Sequence, residues 1–130
     1  MKKFASIFIL LASLLIGCNA QTSKAVKTID CAAFEKFINA NKKLQLIDVR
    51  TTIEYSESHL QNANNININD GNFEQEILKL DKTKPILVYC KAGGRSEKAA
   101  NKLAELGFKE IYNLDGGILK WIEEKKPIVK

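Results

Sequence analysis

The sequence predicts a single α/β domain with a mainly parallel central sheet flanked by helices. Three observations lead to that class. Strand-like and helix-like segments alternate from about Asp30 onward, the pattern of a sheet whose crossovers are helices. The run Ile86-Leu87-Val88-Tyr89 is apolar without alternation, as expected of a strand covered on both faces. Helical spacing of apolar residues returns on either side of that run.

The first seventeen residues stand apart from this pattern. Lys2 and Lys3 precede an apolar run from Phe4 to Gly17, broken only by Ser6 and Ser13, and no acidic residue occurs before Asp30. A basic start and a short apolar run read as a secretory signal. The run falls short of the roughly 20 apolar residues that a spanning helix needs. Gln21 to Lys27 reads as a polar tether, so the folded domain is expected from residue 28.

Asp30 is placed to cap a helix that turns Phe34, Phe37 and Ile38 to one face. Leu44 to Val49 reads as a strand, and Thr51 or Thr52 opens a short helix carrying Ile53 and Tyr55. The polar stretch Ser56 to Asn65 leads to a short strand near Ile66-Asn67-Ile68. Phe73, Ile77 and Leu80 recur at i, i+4 and i+7, one face of a helix that Pro85 terminates. The buried run to Tyr89 follows. A helix from Ser96 to Leu106 is expected to bury Ala99, Ala100, Leu103 and Ala104, with Gly107 as the residue that ends it. Glu110 to Leu114 reads as a strand, and Gly117 to Glu124 as a last helix with Ile118, Trp121 and Ile122 inward.

Composition removes some function classes. The 130 residues hold 20 Lys and Arg against 15 Asp and Glu. The positive charges are scattered singly and in pairs, with no basic stripe interleaved with aromatics, so nucleic-acid binding has no support. No internal repeat is visible. No cluster has metal-ligand spacing, so no metal is expected. Of the three cysteines, Cys31 and Cys90 could pair in an oxidising compartment, and spacing alone leaves that open.

The segment that carries chemistry runs from Cys90 through Lys91, Ala92, Gly93, Gly94 and Arg95 to Ser96. A buried strand ends at Cys90, two glycines follow, and a helix starts near Ser96. Ligands of open α/β sheets sit beyond the carboxyl ends of strands. Gly93 and Gly94 permit backbone conformations that aim successive N–H groups inward. The helix start adds free N–H groups and the positive end of its dipole. Such a cradle favours thiolate over thiol and makes Cys90 a nucleophile near neutral pH. Lys91 and Arg95 can reach an anionic substrate, Arg95 with a fork of donors.

These residues resemble the rhodanese family. Cys90 to Ser96 looks like its active-site loop, C-x-x-G-x-R-S. Asp48-Val49-Arg50, then Glu54-Tyr55 and His59, are similar to its first signature, D-V-R-x-x-x-E-[FY]-x-x-G-H-I. Gly116-Gly117-Ile118 with Trp121 resembles its closing pattern, G-G-[IW]-x-x-W. The stretch Ser58 to Ile66 departs from the family, lacking its usual Gly and Pro. The resemblance implies a three-layer rhodanese-like domain over residues 28–130 and a sulfurtransferase mechanism. Cys90 would take sulfane sulfur from thiosulfate or a polysulfide and pass it, as a persulfide, to a thiol or cyanide-like acceptor. Lys91, Ala92, Gly93, Gly94, Arg95 and Ser96 would form the substrate loop, without cofactor or metal. Asp48 and Arg50 would tie loops together, and His59 would be a packed supporting residue. The spacing C-x4-R matches the sulfur-transfer members rather than the C-x5-R phosphatases of the same fold.

A second resemblance concerns the N-terminus. Leu15-Ile16-Gly17-Cys18 looks like a bacterial lipobox. It implies removal of residues 1–17, diacylglycerol on Cys18, and residues 18–27 as lipidated N-terminus and tether. The product would be an exported lipoprotein at the periplasmic face of the inner or outer membrane. Two other functions fit the same domain. One is a non-catalytic module that carries a persulfide or binds a partner at the membrane. The other is a redox protein that uses Cys31 with Cys90.

Overall fold

The computed structural model describes residues 24–130. The expected signal peptide, the expected lipid site at Cys18 and the first part of the tether lie outside those residues. Five strands, β1 (Val26–Ile29), β2 (Gln45–Asp48), β3 (Asn64–Asn65), β4 (Ile86–Tyr89) and β5 (Ile111–Leu114), form one sheet in the order β1-β5-β4-β2-β3. Every pairing is parallel. Four helices connect them, α1 (Cys31–Ala40), α2 (Thr52–Glu57), α3 (Phe73–Ile77) and α4 (Gly94–Glu105), and α5 (Gly117–Glu123) follows β5.

Register divides the strand residues between two cores, because side chains alternate faces and parallel partners share one. Gln45, Ile86 and Ile111 align, and Leu46, Leu87 and Tyr112 align next to them. Ile47, Val88, Cys90 and Ile111 pack with Phe73 and Ile77 of α3 and with Ala99, Ala100 and Leu103 of α4. Leu46, Leu87, Tyr89 and Leu114 pack on the other face with Cys31 and Phe34 of α1 and with Ile118 and Trp121 of α5. The architecture is thus three layers, helix–sheet–helix, of the expected class. Cys31 and Cys90 are both free and buried, in separate cores on opposite faces of the sheet.

The capping chemistry agrees with the sequence. The Asp30 side chain accepts from Ala33 N at 2.8 Å to start α1. Thr51 and Glu54 form a reciprocal capping box at the start of α2. Gly107, at φ +97°, ends α4 as expected.

Several boundaries differ from expectation. Val26 and Lys27, expected in the tether, belong to β1, which forms only because β5 presents a free edge to it. The strand expected near Ile66–Ile68 is Asn64–Asn65 instead. The amides of Ile66 and Ile68 still reach the carbonyls of Asp48 and Val49, at 3.0 and 3.1 Å. The Asn65 carboxamide also bonds the Asp48 and Arg50 carbonyls, so an apparently polar loop residue holds the sheet edge. Helix α3 stops at Ile77, a turn short of Leu80. Helix α4 begins at Gly94, two residues before Ser96. Ile122 is 43% exposed, because a helix as short as α5 turns only Ile118 and Trp121 inward.

Candidate active site

The centre of the sheet aims β4 at the site, and Cys90 is the first residue beyond it. Its side chain continues the face of Val88 and is 1% exposed. The chain then turns sharply through Lys91 and Ala92, both at the surface, to Gly93. Gly93 adopts φ +109° and caps α4, a conformation that a side chain would oppose. The turn brings the start of α4 over the sulfur. The Gly93 amide donates to Cys90 Sγ at 3.0 Å, and the buried Ser96 hydroxyl lies 3.3 Å from the same sulfur. That hydroxyl also reaches the Gly93 carbonyl at 3.1 Å, so its one proton has two acceptors.

Burial by itself raises the Cys90 pKa. The Ser96 hydroxyl and the amides of Ser96, Gly93 and Ala92 outweigh it and hold the thiol below its ordinary range. The cause is neutral donors converging on one atom, which favour the charged form.

The loop is also held from behind. Ile118 N donates to the Cys90 carbonyl at 2.9 Å, and Leu119 N donates to the Lys91 carbonyl at 3.1 Å. The first amides of α5, which no helix bond could satisfy, therefore fasten the Cys90 turn. This needs close approach. Gly117 adopts φ +60°, and a Cβ there would stand 2.5 Å from the Cys90 carbonyl oxygen. The closing glycine pair of the sequence is thus a loop support that residue-by-residue reading does not assign. The doublet between a strand and a helix was the available signal.

Arg95 is paired within the protein, at the first turn of α4. Its guanidinium donates both branches to the Glu54 carboxylate, at 2.7 and 2.8 Å, so its fork is engaged by protein. Glu54 also accepts from Thr51 N and Oγ1 at 3.0 Å. Arg95, together with these Thr51 bonds, holds the Glu54 carboxyl down to about 2. The pair joins the first turn of α2 to the first turn of α4 across the site. Sequence reading missed the role of Glu54, although Thr51-x-x-Glu54 is legible as a capping box.

Asp48 and Arg50 form a buried pair, with Nη2 to Oδ2 at 2.6 Å and Nε to Oδ1 at 2.9 Å. Arg50 Nη2 also donates to the Ser58 carbonyl at 2.6 Å, tying the end of β2 to the next loop. Tyr89 holds that loop too, accepting from Leu60 N at 3.0 Å. His59 stacks on Tyr55 at 3.9 Å, its Nδ1 lies 3.0 Å from the Tyr55 carbonyl, and its backbone pairs with Val129. The structure therefore brings Cys90, Gly93 and Ser96 together at one atom. Asp48, Arg50 and His59 lie in the framework around them, and Cys18 is outside the described residues.

Comparison with known proteins bears on this arrangement. Residues 30–124 match the rhodanese-like domain family. The chain is 39% identical over 80 residues to the thiosulfate sulfurtransferase GlpE of Coxiella burnetii, covering 62% of this chain and 73% of that protein. A rhodanese-related protein from Thermoplasma volcanium superposes with a TM-score of 0.69 at 31% identity, over 79% of this chain and 97% of that one. The polysulfide-sulfur transferase homodimer of Wolinella succinogenes gives 0.69 at 33% identity, over 81% of this chain and 79% of that one.

Proposed function

This chain belongs to the rhodanese-like domain family, and we propose that it moves sulfane sulfur from thiosulfate or polysulfide to a thiol or cyanide-like acceptor through a persulfide on Cys90. The observation that carries this reading is the pair of donors on Cys90 Sγ, the Gly93 amide and the Ser96 hydroxyl, at the mouth of α4. They hold a thiolate without a general base. The thiolate attacks the outer sulfur of thiosulfate, a sulfur–sulfur bond forms on Cys90, and sulfite leaves with the bonding pair. A polysulfide reacts likewise and leaves one sulfur shorter. The same donors then face the terminal sulfur anion of the persulfide. An acceptor thiolate or cyanide takes that sulfur, and Cys90 departs as thiolate. A relative named for thiosulfate and a structural neighbour named for polysulfide support both donor classes.

The order of basic start, apolar run and Leu15-Ile16-Gly17-Cys18 supports a second part of the proposal. Cys18 carries lipid, and the domain works at the periplasmic face of a bacterial membrane.

Intact-mass measurement after incubation with thiosulfate or polysulfide tests the reaction. The wild type should gain one sulfur, about 32 Da, that cyanide removes, and Cys90→Ser should gain none. A folded, reduced wild type that gains no sulfur from either donor overturns the proposal.

A further inference from the structure

The lysines that look scattered in the sequence gather at one end of the domain. All strands of a parallel sheet begin at the same end, so the segments entering β1, β2, β4 and β5 lie together, opposite the Cys90 loop. Those segments carry Lys24, Lys42, Lys43, Lys82 and Lys109, and Lys27 adds a sixth amine from β1; all six are exposed. Lys24, Lys27 and Lys109 line one depression. Lys82 stands 5.8 Å over the Phe108 ring, beside Lys109 in the chain. Gln45 bonds the Pro85 and Asp81 carbonyls, which sets the Lys42–Lys43 turn next to the Lys82 turn.

The lysines outnumber the acidic groups of this end, and of these Glu110 lines the same depression and keeps its charge. Asp81 pairs with Lys84 at 3.5 Å, Glu105 with Lys102 at 4.0 Å, and Glu110 accepts from the Tyr112 hydroxyl at 2.7 Å. Among the described residues, none of the six lysines forms an ion pair with a carboxylate.

We infer that this basic end is the membrane-facing surface of the domain, seated on anionic phospholipid headgroups, with the Cys90 loop turned to the aqueous phase. The inference rests on the proposed lipid at Cys18. Lys24 follows Cys18 by six residues, at most about 20 Å of extended chain. The chain enters the domain at this same end, through β1. The anchor thus lets the lysines reach a surface whose attraction acts within a Debye length of about 8 Å. A basic cluster beside a lipid anchor adds electrostatic attraction to the attachment and orients the domain on it. With Cys90 at the far end, donor and acceptor arrive from the water side rather than from within the bilayer.

Amine labelling of the full chain on vesicles tests this. The chain is reconstituted with phosphatidylcholine alone or with an equal mixture of phosphatidylcholine and phosphatidylglycerol. A membrane-impermeant amine reagent is applied, and labelled peptides are quantified. Labelling of Lys24, Lys27, Lys82 and Lys109 should fall at least about threefold on the anionic vesicles and recover in high salt, by screening. Labelling of Lys91 and Lys98, near the Cys90 loop, should not change. Equal labelling of the basic end on both vesicle types, or protection of Lys91, overturns the inference. Protection by soluble polyglutamate without protection by vesicles also overturns it, in favour of an acidic protein. Intact mass of the membrane-purified chain reports separately whether Cys18 carries lipid. A chain without lipid, mixed with the anionic vesicles at low salt, should still show the pattern.

Discussion

Gly117 lies against the carbonyl of Cys90, so close that a Cβ at φ +60° would stand 2.5 Å from that oxygen. Two helix-start amides, Ile118 N and Leu119 N, use this approach to hold the reactive turn. Gly117→Ala should therefore cost about 2–4 kcal/mol, from the left-handed backbone and the forced shift of the loop. Persulfide yield should drop with it. Urea unfolding and intact mass check both, and an alanine variant as stable as wild type would refute the role given to Gly117.

The Ser96 hydroxyl, 3.3 Å from Cys90 Sγ, is a removable part of the cradle. In Ser96→Ala the thiol should rise toward its ordinary range, because one hydrogen bond to the thiolate is lost. Persulfide formation at neutral pH should slow about 3- to 10-fold and converge with wild type in alkali. Ultraviolet thiolate absorbance against pH checks the shift. The sign for stability follows from a depressed acid. The Cys90 contribution is complete above the ordinary thiol range and is lost as pH falls through the lowered folded value.

Glu54 accepts both branches of Arg95 and is held to about 2. Both side chains are about 30% exposed, so solvent screening limits the pair to roughly 1 kcal/mol. Glu54→Gln should show that deficit at neutral pH. The wild-type advantage should shrink as pH falls from the ordinary carboxylate range through about 2, where Glu54 itself protonates. Denaturation curves at neutral and acidic pH measure the closing gap.

Cys31 belongs to the core on the other face of the sheet from Cys90. Cys31→Ala should leave persulfide formation within about twofold of wild type, because no cycle through a Cys31–Cys90 disulfide fits that separation. A Cys31 variant that accepts no sulfur would point to the redox function instead.

Much of the fold was legible because its signals are local. The Ile86–Tyr89 run, the caps at Asp30 and Thr51 and the stop at Gly107 each state their structure within a few residues. Edges were not legible. Strand β1 exists because β5 offers it unpaired backbone, and Asn64–Asn65 pairs because Asp48 does. Neither segment has a hydrophobic pattern that would mark it.

By itself the sequence determined the helix–sheet–helix class, the position of Cys90 at a strand end and the donor-rich turn after it. Period, glycine placement and helix start are short-range properties. Only the tertiary structure decided that Arg95 meets Glu54, that Gly117 supports the Cys90 carbonyl, and that six dispersed lysines share one end. Each of these depends on which strand lies beside which. The order β1-β5-β4-β2-β3 is chosen by burial of both sheet faces at once, a condition no single segment contains.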